Sequence, residues 1–115
     1  MPLTSGTVLQ NRYRIIALLG EGGMGAVYKA EDLRLRVNVA LKEMVPQPGL
    51  DPQTLQQLRD QFEQEALALA RMKHPHLVGV SDFFTEADQA YLVMEFVEGE
   101  SRTVEFLIRF REDAH

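Results

Sequence analysis

The sequence predicts an α+β domain, and three features predict it. Five short runs are typical of β-strands, one long amphipathic segment is typical of a helix, and a glycine-rich turn joins the first two strands. The strand-like runs cover residues 13–19, 25–31, 37–43, 77–84 and 90–97, and the helix-like segment starts at Asp51 and runs to Met72. The first two and the last two strands are each predicted to pair as an antiparallel hairpin, the second with a five-residue loop.

Composition is that of a soluble globular domain and argues against several classes of protein. The 115 residues suffice for one domain with a modest core, and 45% hydrophobic with 25% charged residues is ordinary. A net charge of −5 argues against a nucleic-acid-binding surface, which is normally basic. The sequence has no cysteine, which excludes disulfides, thiolate metal sites and cysteine nucleophiles and fits a reducing compartment.

The N-terminal segment predicts neither a signal peptide nor a membrane anchor. Residues 1–10 have no basic start and no apolar centre, and no apolar run in the chain approaches membrane-spanning length. We therefore expect a cytoplasmic protein with no membrane segment. We also expect residues 1–11 to form a polar lead-in with little to bury.

The glycine-rich turn is the first candidate for function. Four glycines fall within six residues: Gly20, Gly22, Gly23 and Gly25. Glycine has no Cβ, so its backbone can approach a ligand closely, and successive free N–H groups can wrap an anion such as phosphate. A single G-x-G-x-x-G pattern is nevertheless a weak signal, since many glycine-rich hairpin tips are only turns.

The third strand carries the second candidate. Residues 37–43 alternate, with Val37, Val39 and Leu41 on one face and Asn38, Ala40 and Lys42 on the other. Lys42 could therefore be an ordinary lysine on a solvated face. Alternatively, it points into the space under the glycine hairpin, where the small Ala40 leaves room for a flat ligand.

The helix contains the third candidate. Its apolar positions recur every three or four residues and form one face: Leu55, Leu58, Phe62, Ala66, Leu69 and Met72. Asp51 is a suitable N-cap and Pro52 a suitable first residue, while Pro75 prevents continuation. Glu65 lies on the apolar stripe, where a buried carboxylate needs a partner. We expect a Lys42–Glu65 ion pair, with the alternative that Glu65 sits at the edge of the stripe and reaches water.

Taken together, these motifs resemble the N-terminal lobe of protein kinases, most closely bacterial serine/threonine kinases of eukaryotic type. Gly20-x-Gly22-x-x-Gly25-x-Val27 resembles the kinase glycine-rich loop, and Val39-Ala40-Leu41-Lys42 resembles the strand with the phosphate-binding lysine. Glu65 matches the glutamate of the family's helix αC. The segments 74–78 and 91–99 resemble the link after that helix and the fifth strand with the hinge. The resemblance covers residues 12–101 and implies a five-stranded antiparallel sheet with αC packed on it.

The resemblance also implies roles for individual residues. Lys42 would hold the α- and β-phosphates of ATP, oriented by Glu65, and the backbone from Gly22 to Gly25 would cover the phosphates. The adenine slot and hinge would be formed by Leu19, Val27, Ala40, the gatekeeper Met94, and the backbone of Glu95 and Val97. Mg²⁺ is expected to accompany ATP, but its family ligands are missing from these residues.

The sequence also departs from the family. No histidine is followed by Arg-Asp, and the segment Asp82-Phe83-Phe84, which partly resembles the metal-binding Asp-Phe-Gly, lacks the glycine and falls in a predicted strand. The family pattern is lost in residues 102–115, which we expect to be a divergent tail. Val104, Phe106, Ile108 and Phe110 alternate like a strand there, whereas the family position predicts a helix.

Three functional hypotheses follow. The first is the ATP-binding lobe of a serine/threonine kinase without its catalytic half, inactive in phosphoryl transfer alone. The second is a regulatory module that docks on an intact kinase. The third is a dinucleotide-binding unit, which needs a helix directly after the glycines and in which Glu43 would imitate the ribose-binding acid. Because a kinase N-lobe normally packs on its C-lobe, we expect marginal stability and self-association or binding to a partner such as another kinase.

Overall fold

The computed structural model describes residues 3–22, 25–44, 48–71, 79–87 and 89–96. Within them the chain forms six strands and one helix. In chain order these are β1 (Val8–Leu9), β2 (Tyr13–Gly22), β3 (Gly25–Asp32), β4 (Val37–Met44), α1 (Pro52–Arg71), β5 (Val80–Glu86) and β6 (Gln89–Glu95). The strands form one antiparallel sheet in the order β1-β2-β3-β4-β6-β5. The crossover between β4 and β5 contains α1.

The predicted α+β class is confirmed, and two details of the prediction are wrong. The sheet has a sixth strand, because the segment expected to be a polar lead-in supplies β1 and buries Leu9 to 4% exposure. The predicted five-residue loop of the last hairpin is shorter, since β5 runs to Glu86 and β6 begins at Gln89. Ala87, between them, adopts a left-handed φ of 51°. This conformation reverses the chain more tightly than the polar composition suggested.

Several predicted features lie outside the described residues. They are Gly23, Val97, the end of the helix at residues 72–75, the link at residues 74–78 and the tail at residues 102–115.

One side of the sheet, here called the helix face, packs against α1. Its apolar cluster contains buried residues from β3, β4 and β6 together with Phe62 and Ala66 of α1. The Phe62 ring lies 5.8 Å from the ring of Phe83 on β5. Leu55 and Leu58 pack against the same cluster, as the helical spacing predicted. The amphipathic stripe thus holds α1 against the β5–β6 end of the sheet.

The opposite side, here called the curled face, has its own cluster. The Tyr13 ring of β2 stacks on Phe84 of β5 at 5.6 Å, and its hydroxyl donates to Asp82 at 2.7 Å. Glu86 accepts from both the backbone and the side-chain amide of Gln10. Because β2 and β5 lie near opposite edges of the sheet, these contacts require it to curl. The curl lets this small domain bury apolar residues on both faces of one sheet.

Local polar contacts fix the start of α1 and the turn between β3 and β4. The N-cap of α1 is Asp51, whose carboxylate accepts from the amide and the hydroxyl of Thr54, and these bonds lower its pKa. At the β3–β4 turn, the buried Asp32 accepts from two turn amides and from two guanidinium nitrogens of Arg12. The Arg12 bonds hold the pKa of Asp32 below its usual range. Asp32 therefore anchors the turn that sets the β3–β4 register.

We predict that Phe62→Ala lowers the free energy of unfolding by about 3–5 kcal/mol, because a large buried ring between helix and sheet leaves a cavity when removed. Urea denaturation followed by circular dichroism measures this change. The matched control is Leu67→Ala on the same helix, where the side chain is 46% exposed. A similar loss in both variants would contradict the described packing of α1.

Candidate functional site

The glycine-rich hairpin connects β2 to β3. Gly20 pairs with Val27 and Gly22 with Gly25, so both strands continue to the tip. A strand, not a helix, follows the glycines. The dinucleotide-binding hypothesis is therefore wrong, because that motif needs a helix N-terminus directly after the glycines to receive the pyrophosphate.

Lys42 lies directly under this hairpin. It pairs with Val27 on β3, shares the helix face with Ala40, and is 5% exposed. The alternative of an ordinary solvated lysine is thus wrong. A Cβ added to Gly25 would approach Lys42 Cε at 2.8 Å and Nζ at 3.7 Å. The absence of a side chain at Gly25 is what allows the lysine stem to pass beneath the hairpin.

The predicted apolar residues come together beside this lysine. Val27, Ala40 and Met94 are buried members of the helix-face cluster, and the partly buried Leu19 packs against it. They come from four strands that are neighbours in the sheet, β2, β3, β4 and β6, and Ala40 pairs directly with Met94. The sequence predicted the members of this set, and the sheet register is what brings them together.

The predicted hinge begins where β6 ends. Glu95 is exposed, and its backbone amide donates to the carbonyl of Gly79 at 3.2 Å. This bond ties the end of β6 to the residue before β5. Val97, the other residue whose backbone is predicted to form the hinge, lies outside the described residues.

Glu65 lies at the margin of the α1 stripe. Phe62 and Ala66, three residues before it and one after it, are each 4% exposed, whereas Glu65 itself is half-buried. The carboxylate thus borders the apolar cluster without being enclosed by it. The Lys42–Glu65 ion pair stays a prediction.

Glu43 has surroundings that sequence reasoning missed. It neighbours Lys42 in sequence but lies on the curled face, opposite Tyr91 of β6, and is 5% exposed. Burial raises the pKa of the Glu43 carboxyl, while a hydrogen bond with Tyr91 acts in the opposite direction. Burial and this neighbouring carboxyl raise the pKa of Tyr91 as well. The sequence did contain a signal for this position. Strict alternation along residues 37–43 places Glu43 on the same face as Val39 and Leu41, away from Lys42.

A second lysine on the helix face was also missed. Lys29 pairs with Ala40, and its ammonium lies 5.9 Å from the centre of the Phe96 ring. The signal in the sequence was the period of two from Val27, which places Lys29 on the same face.

Two grooves lie elsewhere, between α1 and the β5–β6 hairpin. The larger, about 450 Å³, runs past Arg59, Glu63 and Thr85, and the smaller, about 310 Å³, past Leu67 and Ser81. Neither groove is lined by a predicted ligand-binding residue. Among the described residues, no group of three or more histidine or carboxylate side chains is placed to hold a metal ion. The described part of the chain also contains no helix that is both long and apolar enough to span a membrane.

Comparison with known protein families gives a match over most of the chain. The model of the protein kinase domain matches residues 13–114. Serine/threonine-protein kinase pkn2 of Myxococcus xanthus is 42% identical over 98 residues, which are 82% of this chain and 11% of that protein. The probable serine/threonine-protein kinase YbdM of Bacillus subtilis is 35% identical over 111 residues, which are 96% of this chain and 41% of that protein. The chain thus spans less than half the length of either relative.

Solved structures agree with the sequence comparison. The apo form of PpkA-294 superposes with a TM-score of 0.71 at 34% identity, covering 85% of this chain and 40% of that one. The kinase domain of Mycobacterium tuberculosis PknI superposes with a TM-score of 0.63 at 30% identity. That match covers 84% of this chain and 38% of the PknI chain.

We predict that Glu43→Gln raises the free energy of unfolding at pH 7. The folded-state pKa of Glu43 is above its unfolded value, so the folded state binds the proton more tightly and wild-type stability falls as pH rises above about 4. The advantage of the variant should therefore shrink as pH falls toward about 4, where the wild-type carboxyl is protonated. Urea denaturation at the two pH values measures this.

The control for this test is Glu63→Gln on the exposed face of α1. It removes the same charge from an exposed position. The assigned environment of Glu43 is contradicted if the stability gained by Glu43→Gln over wild type is smaller at pH 7 than at pH 4.

Proposed function

The chain belongs to the protein kinase family and has the fold of its N-terminal lobe, and on that premise we propose that it binds ATP as the nucleotide-binding lobe of a serine/threonine kinase. One observation carries the proposal. The buried Lys42 passes so close to Gly25 that an added Cβ would lie 2.8 Å from its Cε, and it does so beside the apolar helix-face cluster.

The phosphate end of the proposed site rests on Lys42 and the hairpin. Phosphoryl groups carry concentrated negative charge, which a fixed ammonium and backbone N–H groups neutralise. The sheet holds Lys42 between its pairing partners Val27 and Leu92, and the end of its side chain lies next to Gly25. In our proposal Gly20, Gly22, Gly23 and Gly25 form the cover over the phosphates, and Glu65 orients the lysine.

The adenine end rests on the apolar residues. In our proposal a purine ring packs on the apolar side chains that form or border the helix-face cluster, which are Leu19, Val27, Ala40 and Met94. The amide of Glu95 is already bonded to Gly79. We therefore assign its carbonyl, together with the backbone of Val97, to the polar edge of adenine.

The proposed role is nucleotide binding by this lobe, and transfer of the phosphoryl group to serine or threonine needs groups that these 115 residues do not include. Mg²⁺ would neutralise phosphate charge when bound with ATP, and we assign it no ligand among the described residues. We place the lobe in the cytoplasm, where ATP is available. The proposed division of the chain is a lead-in at 1–11, which contributes β1 to the sheet, the lobe at 12–101 and a divergent tail at 102–115.

We predict that Lys42→Met abolishes ATP binding measured by isothermal titration calorimetry. A charged hydrogen bond contributes about 1.5–3 kcal/mol, and its loss from a weak complex removes measurable affinity. The control is Arg34→Met, which removes one positive charge from an exposed turn. Unchanged ATP affinity in the folded Lys42→Met protein would defeat the proposal.

We predict that Gly25→Ala weakens ATP binding by about tenfold while changing stability little. The new Cβ would collide with the flexible end of Lys42, which can move aside at small cost, but the ammonium then leaves its position. The tenfold loss corresponds to about 1.4 kcal/mol of misplaced charge. The control is Gly79→Ala, where an added Cβ meets nothing within 4 Å. Equal ATP affinities for Gly25→Ala and wild type would show that Gly25 does not position Lys42.

A further inference from the structure

Lys29 is the second lysine that the sheet places on the helix face. It lies on β3, two residues after Val27, and is half-buried. Its ammonium lies 5.9 Å from the centre of the Phe96 ring, within the range of a cation–π contact. Phe96 follows β6 directly, is partly buried, and packs against the helix-face cluster. The contact therefore joins β3 to the segment that leaves β6.

The strand register places Lys29 nearer to the end of β6 than Lys42 is. Across the sheet, one row of paired residues contains Val27, Lys42 and Leu92. The adjacent row on the same face contains Lys29, Ala40 and Met94. The two lysines thus lie one row apart, with apolar residues around them, and Lys29 is on the side where β6 ends.

The neighbours of Lys29 leave its side chain room to lean toward Phe96. It pairs with Ala17 on β2 and with Ala40 on β4. Both are small, so the long stem can lie along the sheet surface while the ammonium reaches the ring.

From this arrangement we propose that Lys29 is a positioning residue for the adenine-binding backbone, acting through Phe96. In this inference the Lys29–Phe96 contact fixes the segment at Glu95 and Phe96 against β3. The inference rests on the proposed function, because that segment is the one proposed to bind adenine. The distance between these two elements sets the height of the apolar slot that receives a purine. Lys29 itself touches neither the base nor the phosphates.

The experiment compares two ligands, ATP and inorganic tripolyphosphate, by calorimetry on the whole chain. Lys29→Met keeps the aliphatic stem and removes the charge. It should weaken ATP binding by about two- to five-fold, which is the affinity equivalent of an exposed cation–π contact, and leave tripolyphosphate binding unchanged. Lys29→Arg, which retains a cation over the ring, should restore ATP affinity.

A second pair of variants tests the route through Phe96. Phe96→Leu should weaken ATP binding to a similar extent, and adding Lys29→Met to Phe96→Leu should cause no further loss. Additive losses in the double variant would overturn the proposal, as would an equal loss of ATP and tripolyphosphate affinity in Lys29→Met. Urea denaturation of each variant checks that the fold is retained.

Wild type and the Lys42→Met variant test the proposed function independently of Lys29. If wild type binds neither ligand, or Lys42→Met binds ATP as wild type does, nucleotide binding at this site is refuted. If wild type binds both and Lys42→Met loses both, the proposed function stands. Within that result, equal ATP affinity in Lys29→Met and wild type refutes only the role of Lys29.

Discussion

The register of β3 against β4 is the constraint on which the site depends. Val27 pairs with Lys42, and Gly25 pairs with Met44, so the lysine stem passes under the glycine at the hairpin tip. Side chains alternate between the two faces of a strand, so a slip of one residue would move Lys42 to the curled face. The same slip would bring Glu43 onto the helix face. At the β3–β4 turn, Asp32 holds this register through its hydrogen bonds from two turn amides and from Arg12.

Alternation also gives two adjacent charged residues opposite surroundings. Lys42 faces the helix-face cluster next to the glycine hairpin, whereas Glu43 faces Tyr91 on the curled side. Burial of Glu43 disfavours its charged form, which raises its pKa. Ionised Glu43 is therefore a cost to the fold that a neutral side chain would avoid. The curled face compensates through apolar packing and the Tyr13–Asp82 hydrogen bond.

Local patterns were sufficient to predict most of the fold. The three- and four-residue spacing predicted α1, and Asp51 and Pro52 predicted its start, because each of these signals acts within one or two turns of helix. The strand β1 was missed because two residues carry no periodicity, and Val8 and Leu9 are held by their pairing with β2. The Tyr13–Asp82 and Gln10–Glu86 contacts were missed because they join residues far apart in the chain. They depend on the curl of the sheet, which no local pattern encodes.

For the candidate site, the sequence predicted the set of residues better than their arrangement. Alternation was enough to group Ala40 with Lys42, but the contact with Gly25 and the lean of Lys29 toward Phe96 depend on pairing between strands. The sheet positions Lys42, whereas Glu65 is carried by α1, which packs at the β5–β6 end through Phe62. A rotation of α1 about that contact would change the reach of Glu65 and leave the backbone of Lys42 in place. Under the proposed function, the affinity for ATP would therefore follow the sheet residues, and α1 would act on it only through the orientation of Lys42.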